Sequence, residues 1–324
     1  MSGMQPTLFT PRVLVPFALV TLVWGSTWIV IKGQLGVVPP SWSVTYRFTV
    51  AALVMFAFAA LRRERIWIDS RALAFAALLG VAQFTFNFNF VYRAEQHITS
   101  GLVAVLFALL IVPNTLLGRA LLKTPLEGRF LLGAGIAISG VAMMIIHEYQ
   151  VAALGASAVI LGIVLTLSGV LSASIANVMQ GTAFARAQSM TVMIAWAMLF
   201  GALADGAFAW ITTGPPVLDM RFVYLGGIFY LGVIASAVTF PLYFGIIRAV
   251  GPGQAAWSSV LIPIIAMGFS TLLEGYHWSL LSIAGGAVAL VGLVIAVAKR
   301  PARPSVSGNM VSLPCEEDGG ISPR

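Results

Sequence analysis

Charged side chains are scarce in this 324-residue chain. They make up 9% of it, against 59% hydrophobic residues, and the mean hydropathy is +0.96. A soluble domain carries about a quarter of its residues as charges, so this chain cannot cover a water-facing surface. Cysteine is nearly absent. The single Cys315 excludes an intramolecular disulfide and a cysteine-held metal. No glycine-rich phosphate loop ending in Gly-Lys-Ser/Thr is present, which excludes ATP-driven pumping by this chain alone. Asp and Glu are missing from the middle of every long apolar run, and Asp205 comes nearest. A proton-driven carrier built on a central membrane carboxylate would show one, so the absence argues against that mechanism and leaves only coupling through Asp205 open.

Apolar runs, in contrast, are plentiful. A membrane-crossing helix needs about 20 mostly apolar residues. Ten segments meet that length: 13–31, 42–61, 72–92, 99–121, 130–146, 154–174, 190–211, 224–246, 254–273 and 278–298. The connections leave no room for an extramembrane domain. Residues 1–12 form a short cytoplasmic segment with no small-residue cleavage site after the first run, so that run is expected to be a retained helix. Residues 299–324, rich in Pro, Ser and Gly, read as a disordered cytoplasmic tail. The expected fold is an all-α polytopic membrane protein.

The net charge of +7 raises the question of nucleic acid. With an even number of spans, fourteen of the eighteen Lys and Arg fall on the side of the termini. Only Lys32, Arg47, Arg93 and Arg221 fall on the other. This positive-inside bias places both termini in the cytoplasm of a cell (inner) membrane protein. The basic residues sit at helix ends and in the tail, so no face is left for nucleic acid.

The spans divide into two groups of five, residues 13–150 and 151–298. "LLGV" at 78–81 matches "YLGV" at 230–233, and "LLKTPLEGRFLLGAG" (121–135) matches "LLEGYHWSLLSIAGG" (272–286), both at an offset near 151 residues. An odd number of spans per repeat forces the second half to enter from the opposite side. The result is two inverted five-helix repeats, with a site expected near the midplane between them.

Several stretches carry a family resemblance: "LVWGSTWIVIK" in span 1, "YRFTVAAL" in span 2, the proline segment "SSVLIPIIA" in span 9, "STLLEGYHW" after it, and the Gly-rich spans 5 and 10. In their order and spacing the chain resembles the EamA-type exporters of the drug/metabolite transporter superfamily over residues 13 to 298. The resemblance implies a small-metabolite carrier, commonly an exporter of amino acids or related compounds, without naming the substrate. Glu274 fits the pattern. Lys123 departs from it, at a place where such proteins often carry a Glu.

"QFTFNFNF" (83–90) alternates polar and aromatic residues like a strand. A lone strand would leave its backbone unpaired in lipid, and Arg71 and Arg93 bracket the length of one helix, so a helix is expected. At 100° per residue Gln83 and Asn87 share one face and Thr85 and Asn89 another, while Phe84 and Phe88 fall between and face lipid. One polar stripe suits helix packing and the other a wet cavity. In span 8, the repeat partner, Ser236, Thr239 and Tyr243 share a face, with Pro241 positioned to free a carbonyl. Trp24, Thr27 and Trp28 lie one turn apart in span 1. Asn177 ends a run of serines in span 6, where side chains bonding their own backbone are the ordinary reading. Arg47 lies about five residues inside span 2. Its stem either snorkels to the headgroups or turns inward to meet a substrate carboxylate. His97, His147 and His277, with Glu95, Glu148 and Glu274, cluster near outer span ends. None has HxxxH spacing, so interfacial solvation is expected and no metal.

These residues suit a secondary transporter of small amphipathic metabolites working by alternating access. The candidate substrate residues are Trp24, Thr27, Trp28, Arg47, Gln83, Asn87, Asn177, Ser236, Thr239 and Tyr243. No cofactor is expected. The partners are a small molecule and the lipid bilayer, with coupling to a proton or a counter-substrate left open. The alternative is a membrane-embedded enzyme acting on a lipid, for which only the outer His and Glu residues offer chemistry. A non-transporting receptor or scaffold would need neither the repeat nor the stripes. The topology is checked with a single cysteine at Gln34 or at Gln150 in a Cys315→Ser background. It should react with an impermeant thiol reagent added to intact cells, whereas Cys315 of the wild type should react only after permeabilisation. Labelling of Cys315 in intact cells would reverse the orientation.

Overall fold

The computed structural model describes residues 10–123, 126, 128–151, 155–250 and 258–297. The first nine residues, the start of the ninth expected span and the tail with Cys315 lie outside them. Among the described residues there are ten apolar helical segments and no strand. They are α1 (Pro11–Gln34), α2 (Pro40–Leu61), α3 (Ser70–Ala94), α4 (Ser100–Leu122), α5 (Gly128–Val151), α6 (Ala156–Gln180), α7 (Met190–Thr213), α8 (222–250), α9 (Ser258–Leu273) and α10 (Leu280–Val297).

Local sequence sets the ends. Pro11 and Pro40 open their helices, where a missing N–H costs nothing. Asp69 and Ser189 accept from the backbone N–H of Ala72 and Val192 and so cap α3 and α7. α4 breaks at Leu109–Leu110, ahead of Pro113, which lacks an N–H for the ladder. Lys123 closes α4 in the left-handed region, with φ of 56°. Between α7 and α8, Arg221 bonds Asp219 at 2.7 and 2.6 Å, and that bond holds the Asp219 carboxyl below the usual carboxylate range. α6 runs on to Gln180, past the expected end at 174. The apolar run thins at Asn177, but the helix-forming Ala and Met residues around it carry the helix onward.

α3 and α8 are not uniform α-helices. Each contains a π-helical stretch, Val81–Phe86 in α3 and Tyr230–Val238 in α8. "QFTFNFNF" is therefore helical, as expected, but its faces do not follow a 100° step. Phe84 is buried and Phe88 half-buried, while Phe86 is 53% exposed and stacks on Phe90 at 6.2 Å. The expectation that Phe84 and Phe88 face lipid is thus overturned. The wider i→i+5 turn rotates the residues within and after it.

The packing repeats itself when the two halves are exchanged. α1 packs on α8 and α9, and α6 packs on α3 and α4. α2 lies against the π stretch of α8, and α7 against that of α3. Each π stretch also offers a carbonyl to the first helix of the other half. Trp24 Nε1 donates to the Ala235 carbonyl at 3.1 Å, and Ser172 Oγ donates to the Ala82 carbonyl at 2.8 Å. Carbonyls in a distorted turn tilt away from the helix ladder, and inside a membrane only protein can satisfy them.

α5 and α10 cross on glycine, and here the absence of a side chain decides the contact. A Cβ on Gly133 would lie 2.6 Å from the Gly292 carbonyl oxygen, and one on Gly140 2.5 Å from that of Gly285. Gly285 follows Gly133 by 152 residues, and Gly292 follows Gly140 by the same 152. Repeat equivalents therefore trade places across the crossing, as an internal two-fold axis between antiparallel helices requires. Close backbone approach through small residues is the main source of helix association in lipid. Gly140→Val should lower the unfolding temperature in detergent, by a loss of about 1–3 kcal/mol from overpacking. Gly135→Ala, at a position with open space around it, should leave the temperature unchanged.

Candidate functional site

Arg47 sits two turns into α2, on the face that meets the π stretch of α8. It is 2% exposed, so its stem turns inward between the repeats and does not run along the lipid face. Nε and Nη2 both donate to Ser236 Oγ at 3.3 Å. Ser236 in turn donates its one proton to the Leu231 carbonyl, five residues back in the π stretch, which leaves the oxygen free to accept. The guanidinium carbon stands 4.3 Å from the centre of the Phe88 ring and 5.1 Å from that of Phe48. Ring faces at that range stabilise a desolvated cation. Tyr92 lies beside the guanidinium and donates its own proton to Gln34 Oε1 at 2.9 Å. Arg47 Nη1 has no protein partner.

An aromatic chain leads away from this cation. Phe48 meets Phe84 at 4.7 Å, Phe84 meets Phe240 at 6.0 Å, Phe240 meets Trp24 at 5.4 Å, and Trp24 meets Tyr243 at 4.9 Å. Four helices, α1, α2, α3 and α8, contribute to it. A charged group with a free donor beside a continuous ring surface is suited to a small ligand with an anionic end and an apolar body.

The structure brings Trp24, Arg47, Ser236 and Tyr243 of the expected set into this one neighbourhood. Trp28 is adjacent: its ring leans on Phe107 at 5.3 Å, and its indole N–H is buried without a partner. Thr27 and Thr239 donate to their own helices, at the carbonyls of Trp24 and Ile234. Gln83 and Asn87 are buried on the other flank of α3, with Oε1 and Oδ1 unpartnered and Asn87 against Gly169 of α6. Asn177 does not join them. It is exposed towards the far end of α6 and pairs with Asn114 at 3.4 Å. The second stripe of α3 serves helix packing: Thr85 donates to the Gly201 carbonyl at 2.9 Å and Asn89 to Asp205.

Several residues escaped sequence reasoning. Phe84, Phe88 and Tyr92 recur at four-residue spacing, a signal hidden by the louder two-residue alternation. Asp205 is fully buried and accepts from Asn89 and, at 3.2 Å, from Thr45. Expected interfacial solvation is corrected for Glu95, Glu148 and His147, which are all buried. Neighbouring span ends fold over them, which a count along one helix cannot register. Both ring nitrogens of His147 are engaged, by the His277 carbonyl at 3.1 Å and Ser279 Oγ at 3.0 Å. No group of three or more metal-ligating side chains occurs among the described residues. An apolar cavity of about 380 Å³, lined by residues such as Pro263, Met267, Trp278 and Leu290, lies between α9 and α10, away from the polar groups.

The two repeats, each matched separately, fit the EamA-like transporter family over residues 13–146 and 160–298. The chain belongs to that family. It is similar to "Protein PagO" of Salmonella typhimurium, at 24% identity over 80% of this chain and 84% of that protein. It is also similar to the "Probable amino-acid metabolite efflux pump" of Escherichia coli K12, at 23% identity over 86% and 92%. The inner membrane transporter YedA of the same organism is 27% identical over 88% and 92%. One crystal structure shares the fold, with a TM-score of 0.64 at 20% identity over 87% of this chain and 95% of that one. The protein is a multi-pass membrane transporter of this family. If Arg47 meets an anionic substrate, Arg47→Lys should fold normally yet weaken apparent affinity for carboxylated substrates about tenfold, roughly 1.4 kcal/mol. Neutral substrates should change little. Equal affinity for carboxylated substrates in the two proteins would reject the contact.

Proposed function

We propose that this protein is a secondary transporter that exports small amphipathic metabolites, amino acids or related carboxylated compounds, by alternating access of its two repeats, with both termini cytoplasmic. The observation that carries this reading is the buried Arg47, held between the repeats by Ser236 with Nη1 left without a partner. An unfilled charged donor at depth is costly, and a substrate carboxylate completes it. The aromatic chain from Phe48 to Tyr243 supplies a surface for the apolar body of such a compound.

The mechanism follows from the inverted repeat. α3 and α8 each carry a π stretch, and each is held at that stretch by the first helix of the other half. Such turns are local departures from the helix ladder and suit bending. Rocking one repeat against the other exchanges which end is open while Arg47 stays between them. Both oxygens of Asp205 are occupied by neutral donors, so counter-substrate exchange is the simpler source of coupling. Relatedness to the Escherichia coli protein named for amino-acid metabolite efflux supports the substrate class.

Proteoliposomes preloaded with an amino-acid panel should accumulate labelled substrate by counterflow. Asn87→Ala and Tyr243→Phe should each lower the rate severalfold at unchanged expression and melting temperature. Absence of counterflow for every carboxylated compound would refute the reading. Normal rates in both variants would assign Asn87 and Tyr243 to packing.

A further inference from the structure

Arg47 is not the only buried ionisable side chain with an unpartnered polar atom at this end of the bundle. Glu95 follows the last turn of α3 and is 0% exposed, and neither of its carboxylate oxygens has a hydrogen-bond partner. It lies one turn beyond Tyr92, the residue that flanks the Arg47 guanidinium, on the same side of the helix. Arg47 and Glu95 are near enough to act on each other electrostatically. They are nevertheless not an ion pair: the only ion pairs among the described residues are Arg62–Glu64 and Arg221–Asp219.

Other charges at this end of the bundle do not satisfy Glu95. Lys32 of α1 directs its ammonium to the backbone carbonyls of Glu95 and Ile98, not to the carboxylate. Glu274 is engaged with the backbone N–H and hydroxyl of Ser100. A guanidinium and a carboxyl group, both buried, each with polar atoms that lack a partner and not paired with one another, resemble the two halves of a site whose middle is supplied by something else. Leaving either one alone is among the most expensive arrangements a protein interior can hold.

We propose that Glu95 is the cationic-group receptor of the same site, so that the protein selects small zwitterions that carry an ammonium and a carboxylate a few bonds apart. This rests on the reading of Arg47 as the carboxylate receptor and adds the second pole. The carboxylate meets Arg47 Nη1, the ammonium meets Glu95, and the side chain lies along the rings that lead to Trp24. Such a ligand is neutral overall, so loading the site fills both charged groups without adding net charge to the membrane interior.

The test uses the full-length protein in proteoliposomes with three probes: phenylalanine, 3-phenylpropionate, which lacks the amine, and 2-phenylethylamine, which lacks the carboxylate. Competition against labelled phenylalanine should rank phenylalanine at least tenfold above both analogues in the wild type. Glu95→Gln should abolish the advantage over 3-phenylpropionate while the Arg47-dependent recognition of that acid persists. Glu95→Asp should restore part of the advantage. Replacing a buried carboxyl that has no hydrogen-bond partner should leave the Glu95→Gln protein at least as heat-stable as the wild type, so lost selectivity with a raised or equal melting temperature cannot be misfolding. An unchanged phenylalanine to 3-phenylpropionate ratio in Glu95→Gln overturns the second pole and leaves the carboxylate reading standing. A wild type that moves neither phenylalanine nor 3-phenylpropionate overturns both. A Glu95→Gln protein that melts well below the wild type overturns the proposal too, since the carboxylate would then be a structural group.

Discussion

Inside a membrane no water is available to finish a hydrogen bond, and that constraint orders this structure from its backbone to its candidate site. It is why a strand-like alternation of Gln, Thr and Asn with Phe becomes a helix. It is also why each π stretch in α3 and α8 has a neighbour bonded to one of its carbonyls. It makes polar side chains informative as well. Thr85, Asn89, Thr45 and Asp205 close on one another and complete a packing interface. Arg47 and Glu95 do not close, and the cost of that incompleteness is the reason to regard them as a site.

The internal two-fold symmetry supplies the frame in which that incompleteness persists. Glycine contacts between α5 and α10 join the halves through backbone, which cannot shift as side chains can. The remaining helices interlock, α1 against α8 and α9, α6 against α3 and α4. The frame is symmetric and the chemistry is not. Arg47 of α2 has an apolar counterpart in the stretch 197–199 of α7: Gly232 packs on the Arg47 carbonyl, and its repeat equivalent Gly80 packs on that of Ala197. The crossing is thus made in both copies of the repeat, and only one of them carries the charge.

Much of the fold was legible along the chain because a bilayer imposes a simple rule: about 20 apolar residues per crossing. The repeat was legible through its constant offset. The assembly of the site was legible only in part. Trp24, Arg47, Ser236 and Tyr243 were singled out as candidates from residue type and depth; Arg47 meets Ser236, and Trp24 meets Tyr243. Asn177, a candidate by residue type beyond the expected end of its span, stands apart, because residue type along one helix does not report which way that helix faces. The burial of Phe84 and Phe88 was misread because a 100° step was assumed through a turn that is wider.

The sequence by itself determined the membrane setting, the helical class, the two-repeat layout and the identity of the one arginine set deep in a span. All of these follow from composition and spacing along a single strand of chain. Only the tertiary structure decided that Arg47 turns inward onto Ser236, that Phe48 and Phe88 flank its guanidinium, and that Glu95 is sealed from solvent without a partner. Those facts depend on the rotation of α2, α3 and α8 about their own axes. That rotation is set by where neighbouring helices fit and by π turns that no local periodicity announces.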